Sequence, residues 1–289
     1  MEELDWAIDK QDTTDKCMDL DKLHPMLLKR LGNTAKLVLL QIFNLALKNK
    51  IWLWDCSAVS FIRKEGKSTY TDPGSYRPIS IASYFGKIME RIVAARVNCH
   101  IIEQGDLDDE QEGFQSGRST TRYLYRLLAN LEEVKRQKLT CMVLFLDFEK
   151  AFDSVYIPKL IVKLSKLGIK GNLLHLINDF LVNRKVSLRV NNHWGPKRAC
   201  KLFGLPQGSA LSPLLFIIFI NDMFHRTQQD TSCQECTNIY KYADDGSITI
   251  THKDPQECHR IAQKMCDNLS QWCANWQLKV NCEKIRLNV

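Results

Sequence analysis

Apolar positions recur at helical spacing along much of the chain and switch to short strand-like runs in its second half. Thr34–Lys48 (TAKLVLLQIFNLALK) is strongly apolar and predicts a packed helix. Phe85, Ile88, Met89, Ile92, Val93, Val97 and Ile101 share one helical face, with Lys87, Arg91 and Arg96 off it. Leu124, Leu127, Leu128, Leu131 and Val134 mark a further helix, with Ser119 or Thr120 as its N-cap. Cys141–Leu146 (CMVLFL) then reads as a buried strand ending on Asp147. Pro158 opens a helix that stops at Gly168, and Asn172–Asn183 is another. Val186–Val190 and Arg198–Phe203 are expected as strands flanking a turn at Asn191–Gly195. Ser212–Phe224 is a nearly all-apolar helix. Asn238–Ala243 and Ser247–Thr251 are strands on either side of Asp244-Asp245-Gly246. Asp254-Pro255 caps a helix running to about Trp276, and Val280 lies in a short extended piece. Glu65–Tyr76 is turn-rich, and residues 1–22 read as polar and loosely ordered. Helices interleaved with hairpins predict an α+β fold with a mostly antiparallel sheet.

Composition narrows the class. The 289 residues are 45% hydrophobic and 25% charged, which excludes disorder over most of the chain. No stretch approaches the ~18 consecutive apolar residues of a membrane span, and no membrane partner is expected. Met1 opens an acidic segment without an apolar signal core, and eleven scattered Cys fit a reduced, intracellular protein. The charge is uneven. Residues 1–25 carry eight acids against three bases, net −5, so a chain of net +7 has +12 in the remainder. Residues 63–100 are basic, and 184–201 hold Arg184, Lys185, Arg189, Lys197, Arg198 and Lys201 with no acid. Such segments suit a polyphosphate partner, although charge alone is better explained by a solvated surface.

Three clusters carry candidate chemistry. The first is Phe145-Leu146-Asp147-Phe148-Glu149-Lys150-Ala151-Phe152-Asp153, in which a buried strand delivers Asp147 at its end. The second is Tyr240-Lys241-Tyr242-Ala243-Asp244-Asp245-Gly246, two adjacent acids at a hairpin apex, with Asp245-Gly246 a turn-favoured pair. Adjacent carboxylates repel and stay ionised together only near a cation. If the two strands pair, Asp147 and Asp244 converge, and a hard divalent ion satisfies both. Either cluster alone also reads as a plain turn. The third is Gly204-Leu205-Pro206-Gln207-Gly208-Ser209-Ala210-Leu211-Ser212-Pro213, where glycines around Gln207 let the backbone approach a planar ligand. Cys233-x-x-Cys236, with Cys258, His259 and Cys266 downstream, has zinc-like spacing but no second matched pair, so zinc is not expected.

In order and content these clusters resemble the palm motifs of reverse transcriptases, most closely those of non-LTR (LINE-type) retrotransposons. Ser75–Ser80 (SYRPIS), running on into Gly86–Arg91, and Gly113–Thr120 (GFQSGRST) resemble the family's fingers blocks, and Trp276–Asn281 (WQLKVN) with Lys284 its fourth palm motif. The resemblance covers roughly residues 50–289 and implies a right-hand polymerase of fingers and palm, with an antiparallel palm sheet backed by helices. It divides the chain into an acidic leader and apolar helix (1–50), fingers (51–140), palm (141–183 and 204–289) and an intervening strand pair (184–203). It implies RNA-directed DNA polymerisation for retrotransposition, in which two Mg²⁺ on Asp147 and Asp244, with Asp245 supporting, serve transfer from a dNTP to a primer 3′-hydroxyl. Phe152 then excludes a ribose 2′-hydroxyl, and Gln207 and Gly208 lie near the nucleotide. Arg77 and Arg118 contact triphosphate or template, and Lys284 assists proton delivery to pyrophosphate. The partners implied are an RNA template, a DNA primer or nicked target DNA, and dNTPs, with the nucleus as the site of action. Gln115 and Ser116 replace the usual Arg and Pro, and Ile285 replaces a common Thr. Only five residues follow Lys284, so the thumb and primer grip are expected to be absent from the chain. A non-catalytic nucleic-acid-binding remnant of a retroelement and a group II intron-type enzyme are the alternatives.

Overall fold

The structure is a computed structural model that describes residues 1–11, 21, 23–190, 193–224, 236–281 and 286–288. It divides into two units, one formed by Met1–Gly105 and Ile157–Ser212, the other by Asp106–Tyr156 and Pro213–Val289.

In the first unit, Leu4, Ala7 and Ile8 fall on one face of a helix, and α1 (Glu2–Asp9) buries all three. The acidic leader is therefore ordered at its start, contrary to its polar composition. It packs on α4 (Tyr84–Gln104), where Glu3 forms a bidentate pair with Arg96 at 2.6 and 2.8 Å and Gln11 accepts from Arg91. The Arg96 guanidinium holds the Glu3 carboxyl below its ordinary range. Two cations of the basic 63–100 segment are thus bound by the leader itself. After α2 (Pro25–Lys29) comes α3 (Asn33–Asn49), which packs along α8 (Gly171–Val182). It buries Leu39, Phe43 and Ala46 but leaves Leu37, Val38, Ile42 and Leu45 exposed, so the expected packed helix is covered on one side only.

Two strands that helical periodicity does not reveal, β1 (Cys56–Arg63) and β2 (Tyr76–Ile81), form an antiparallel hairpin across the turn-rich stretch. β1 also pairs in parallel with β4 (Lys185–Val190). β5 (His193–Trp194) and β6 (Arg198–Ala199) pair antiparallel with β4. The expected strand at Arg198–Phe203 is thus only two residues long, and part of the expected turn is itself a strand. α7 (Ile157–Lys166) ends before Gly168, as its sequence signals require.

The second unit is built on a four-stranded antiparallel sheet in the order β7 (Thr237–Tyr242), β8 (Asp245–His252), β3 (Thr140–Leu146), β9 (Arg286–Asn288). Central strand β8 is buried on both faces. Its polar face is satisfied from α5 (Thr120–Arg136): Ser247 Oγ lies 2.8 Å from Tyr123 Oη, and Thr249 Oγ1 donates to Asn130 Oδ1 at 2.8 Å. Ser119 caps α5 as expected, accepting from Arg122 N at 3.2 Å. Ile248 and Ile250 point the other way by the two-residue pleat, and α10 (Pro255–Trp276) packs along β8 and β3. Asp254 caps α10 by accepting from Gln256 N at 3.0 Å. α9 (Ser212–Ile220) is shorter than its apolar run and buried all round. Its Phe219 meets Trp276 of α10 edge-on at 5.8 Å. The α+β class holds throughout. Among the described residues no helix is long and apolar enough to cross a membrane.

Candidate active site

Strand register decides which acids meet. Leu146 pairs with Gly246 and Phe145 with Ser247, so one step further along the ladder sets Asp147 beside Asp245. Residues two apart share a face, which places Phe145, Asp147 and Asp245 on the side that Tyr123 covers. Tyr123, Phe145, Leu146, Asp147, Asp245 and Gly246 line an open cleft of about 330 Å³. Burial, together with the Asp245 charge, pushes the Tyr123 phenol above its ordinary range, so it enters the cleft as a neutral donor.

The hairpin apex differs from its expected place. Tyr242 pairs with Asp245, so the two-residue turn is Ala243-Asp244, and Asp245-Gly246 already belongs to β8. Ala243 takes φ 54°, a left-handed conformation that costs an L-residue about 1–2 kcal/mol. Asp244 is half-buried at the apex and Asp245 is exposed.

Asp147 is clamped from the segment after α10. Asn281 Nδ2 donates to Asp147 Oδ2 at 2.9 Å, and Asn281 N to the Asp147 carbonyl at 2.8 Å. Phe148 bridges Val280, and Glu149 N donates to the Lys279 carbonyl at 2.9 Å. The extended piece at Val280 therefore serves as a short strand against the Asp147 loop. Phe152, on the short helix α6 (Ala151–Ser154), stacks on Phe216 at 4.6 Å and meets Phe114 edge-on at 6.3 Å.

A segment without a regular element of its own grips the hairpin from the edge of β7. Glu112 N donates to the Lys241 carbonyl at 2.8 Å, and Lys241 N to that of Glu110 at 3.0 Å. The Gln111 side-chain oxygen accepts from Gly113 N at 2.8 Å and Ala243 N at 2.9 Å. A Cβ on Gly113 would lie 2.3 Å from Ala243 N, so only glycine allows this approach. Lys241 is fully buried, ion-paired with Asp108. Buried Glu112 pairs with Arg126 at 2.9 Å and Arg122 at 3.3 Å. Arg118, offered by the sequence to a triphosphate or template, donates instead to the carbonyls of Asp109 and Gln111 and pairs with the Asp109 carboxylate at 3.0 Å. Gln115, in place of the usual Arg, also bonds locally, from Nε2 to the Gln111 carbonyl at 2.8 Å.

Arg77, Gln207 and Gly208 belong to the other unit. Arg77 is exposed on β2, opposite Ile62. The Gln207 carbonyl accepts from Ser80 N at 2.7 Å. Gly208 has φ 100°, and a Cβ there would lie 2.9 Å from the Ser80 carbonyl oxygen, so this glycine is required by both conformation and space. Glu90, in the Gly86–Arg91 block, holds the following residues: its Oε2 accepts from Ser209 Oγ at 2.6 Å and Ala210 N at 2.7 Å. Burial raises the Glu90 pKa, against the opposing pull of these bonds and of Lys87. A raised acid binds its proton more tightly in the folded chain, so its contribution to stability falls as pH rises from the unfolded value toward the raised one. Glu90→Gln, which keeps an accepting oxygen, is expected to gain stability relative to wild type as pH rises. Thermal melts of both proteins at pH 5 and pH 8 check this, and parallel pH dependences would sink it.

Lys284 and Cys233 lie outside the described residues. Among the described residues no group of three or more His, Cys, Asp or Glu is placed to hold a metal ion. Asp147 and Asp245 offer hard oxygen donors at the open cleft, and Asp244 precedes Asp245 at the apex. Such donors suit a hard divalent ion that keeps several waters. Sequence reasoning passed over Gln111, Asn281, Lys241 and Glu90. The available signal was a polar residue inside an apolar run (Lys241) or next to a close-approach glycine (Gln111).

Residues 62–288 match the family described as reverse transcriptase (RNA-dependent DNA polymerase). The chain is 32% identical over 271 residues to a probable RNA-directed DNA polymerase from transposon BS of Drosophila melanogaster, covering 93% of this chain and 30% of that protein. It is 32% identical over 234 residues to the RNA-directed DNA polymerase of the mobile element jockey from the same organism, covering 80% and 25%. The chain thus spans under a third of these relatives. Among solved structures, telomerase from Candida albicans in complex with a fragment of telomeric RNA matches with TM-score 0.62 at 13% identity, over 88% of this chain and 47% of that one. Apo telomerase from Candida tropicalis matches with TM-score 0.61 at 11% identity, over 81% and 44%.

Proposed function

This chain belongs to the reverse transcriptase (RNA-dependent DNA polymerase) family, on the non-LTR retrotransposon branch, and on that premise we propose that it carries the polymerising centre of a retroelement enzyme. The substrates are a DNA primer, or nicked target DNA, on an RNA template, together with dNTPs. The observation that carries this reading is the strand register that sets Asp147 beside Asp245 at an open cleft, with Asp244 on the adjoining apex. The primer 3′-hydroxyl gives up its proton to solvent as its oxygen attacks the α-phosphorus, the α–β phosphoanhydride bond breaks, and pyrophosphate leaves. Asp147, Asp244 and Asp245 would hold two divalent ions, Mg²⁺ by their donor chemistry, which supply Lewis-acid stabilisation of the attacking and leaving oxygens. Asn281 fixes the direction of the Asp147 carboxylate. Gln207 and Gly208 are the candidate nucleotide contacts of the second motif, Arg77 an exposed candidate phosphate contact, and Lys284 a candidate proton donor.

Phe152 is the candidate sugar gate, and its stack on Phe216 makes it a rigid wall. Phe152→Val is expected to raise ribonucleotide use relative to dNTP by about 10- to 100-fold, the scale of 1–3 kcal/mol of lost steric discrimination. Competition assays with dNTP and rNTP check this; unchanged discrimination would return Phe152 to a packing role. The function itself is tested by primer extension on an RNA template with Mg²⁺ and dNTPs, wild type beside Asp244→Asn. Extension by wild type alone supports it, whereas salt-sensitive RNA binding without extension favours the non-catalytic reading.

A further inference from the structure

We infer that Gln111 is a positioning residue for the carboxylate hairpin: its side-chain oxygen holds Ala243 in the left-handed conformation and so sets where Asp244 and Asp245 stand. The inference rests on the proposed polymerising role for its consequence, and on geometry alone for its structural part.

Both partners of that oxygen are backbone N–H groups, Gly113 N at 2.8 Å and Ala243 N at 2.9 Å. Two donors converging on one end of the side chain can be met only by its carbonyl, which fixes the amide orientation. The opposite end, Nε2, is buried with no hydrogen-bond partner. The oxygen is therefore the working part of the residue, and the NH₂ group is a cost the fold carries to keep it. Gln111 is 2% exposed, so solvent does not take its place.

The site that it grips is the weak point of the hairpin. Tyr242 and Asp245 close the ladder, leaving Ala243 N inside the two-residue turn. Ala243 has φ 54° without being glycine, so its conformation needs outside support. Gly113 has no room for a Cβ against Ala243 N, and Glu110 and Glu112 bond to the Lys241 backbone on the same edge. Arg118 ties down the Asp109 and Gln111 carbonyls from behind. The whole segment is thus built to bring one oxygen to one amide, one residue before Asp244.

Amide hydrogen exchange at Ala243, measured on the full chain, tests the structural part without any polymerase assay. Gln111→Leu keeps similar bulk but removes the acceptor, and the Ala243 amide is expected to exchange about tenfold faster or more. Gln111→Glu keeps an oxygen that can accept from Ala243 N and exchanges the unpartnered NH₂ for a second carboxyl oxygen, so with exchange measured at a pH where the buried carboxyl is neutral, protection at Ala243 is expected to stay near wild type. The functional part follows from extension assays. Gln111→Leu should lower kcat and raise the Mg²⁺ concentration for half-maximal rate while dNTP KM stays within about twofold. Adding Ala243→Gly, which adopts positive φ freely, should recover part of that rate. Unchanged Ala243 exchange in folded Gln111→Leu overturns the inference. If Gln111→Leu does not fold, Ala243 deprotection in folded Gln111→Glu overturns it as well. An inactive wild-type chain would defeat the polymerase reading and leave the exchange result standing.

Discussion

Asp147→Asn is expected to lower the rate of nucleotide addition by about 10³-fold, some 4 kcal/mol of transition-state stabilisation. The substitution is a clean probe because the surroundings hold the side chain by shape as much as by charge. Asn281 Nδ2 donates to Oδ2 at 2.9 Å, and an asparagine oxygen can occupy the same place. The backbone around it is fixed independently, by Asn281 N on the Asp147 carbonyl at 2.8 Å and Glu149 N on the Lys279 carbonyl at 2.9 Å. The substitution removes the negative charge beside the cleft and turns one acceptor oxygen into a donor NH₂. Single-turnover incorporation gives the rate, and primer–template affinity, expected within a few-fold of wild type, shows that the loss is in chemistry rather than binding. A rate within tenfold of wild type would remove Asp147 from the catalytic set.

The second large effect is on stability. Lys241→Met is expected to destabilise the chain by about 3–5 kcal/mol, because it strands a buried carboxylate. The Lys241 ammonium is ion-paired with Asp108, reaches the Asn221 carbonyl at 3.4 Å and sits 5.4 Å over the Phe224 ring. Asp108 is itself nearly buried, and Asn221 ties down the chain around it by accepting from Asp108 N at 2.9 Å and donating to the Asp106 carbonyl at 2.7 Å. Methionine fills the volume and leaves Asp108 without its cation. Burial and the Asp108 charge already push the Glu110 pKa up, with Lys241 opposing the shift, so losing Lys241 adds to the imbalance. Denaturant unfolding of the single variant and of Lys241→Met/Asp108→Asn checks the account. The double variant should regain more than half of the loss; equal instability of the two would mean that the charge pair is not the cause.

How much of this was legible beforehand differed by element. Helices with a regular apolar stripe, such as α4 and α5, and their caps at Ser119 and Asp254 follow from local chemistry and could be read directly. So could β3, β7 and β8, whose apolar runs end at acids. β1 and β2 escaped because a turn-rich stretch separates the two arms of their hairpin, and their burial is too partial to leave a period-two pattern. α1 escaped because eight acids in 25 residues hide a three-residue apolar face that packs on α4. At the site, the three acids were visible as motifs, but their pairing was not. Asp245-Gly246 is the better turn sequence, yet the turn lies two residues earlier, at Ala243-Asp244, where Gln111 and Gly113 grip Ala243. That shift brings Asp245, rather than Asp244, level with Asp147. Arg118 was legible as a cation but not as one whose partners lie in the preceding loop.

We propose that the cleft between Asp147 and Asp245 adds template-coded deoxynucleotides to a primer. The most direct measurement offers the full chain a DNA primer on an RNA template with each dNTP singly, with Mg²⁺ and again after its chelation. The account predicts addition of the complementary dNTP alone, lost on chelation and restored by Mg²⁺. A primer–template that binds yet gains no nucleotide, or gains one regardless of the template base, would contradict it.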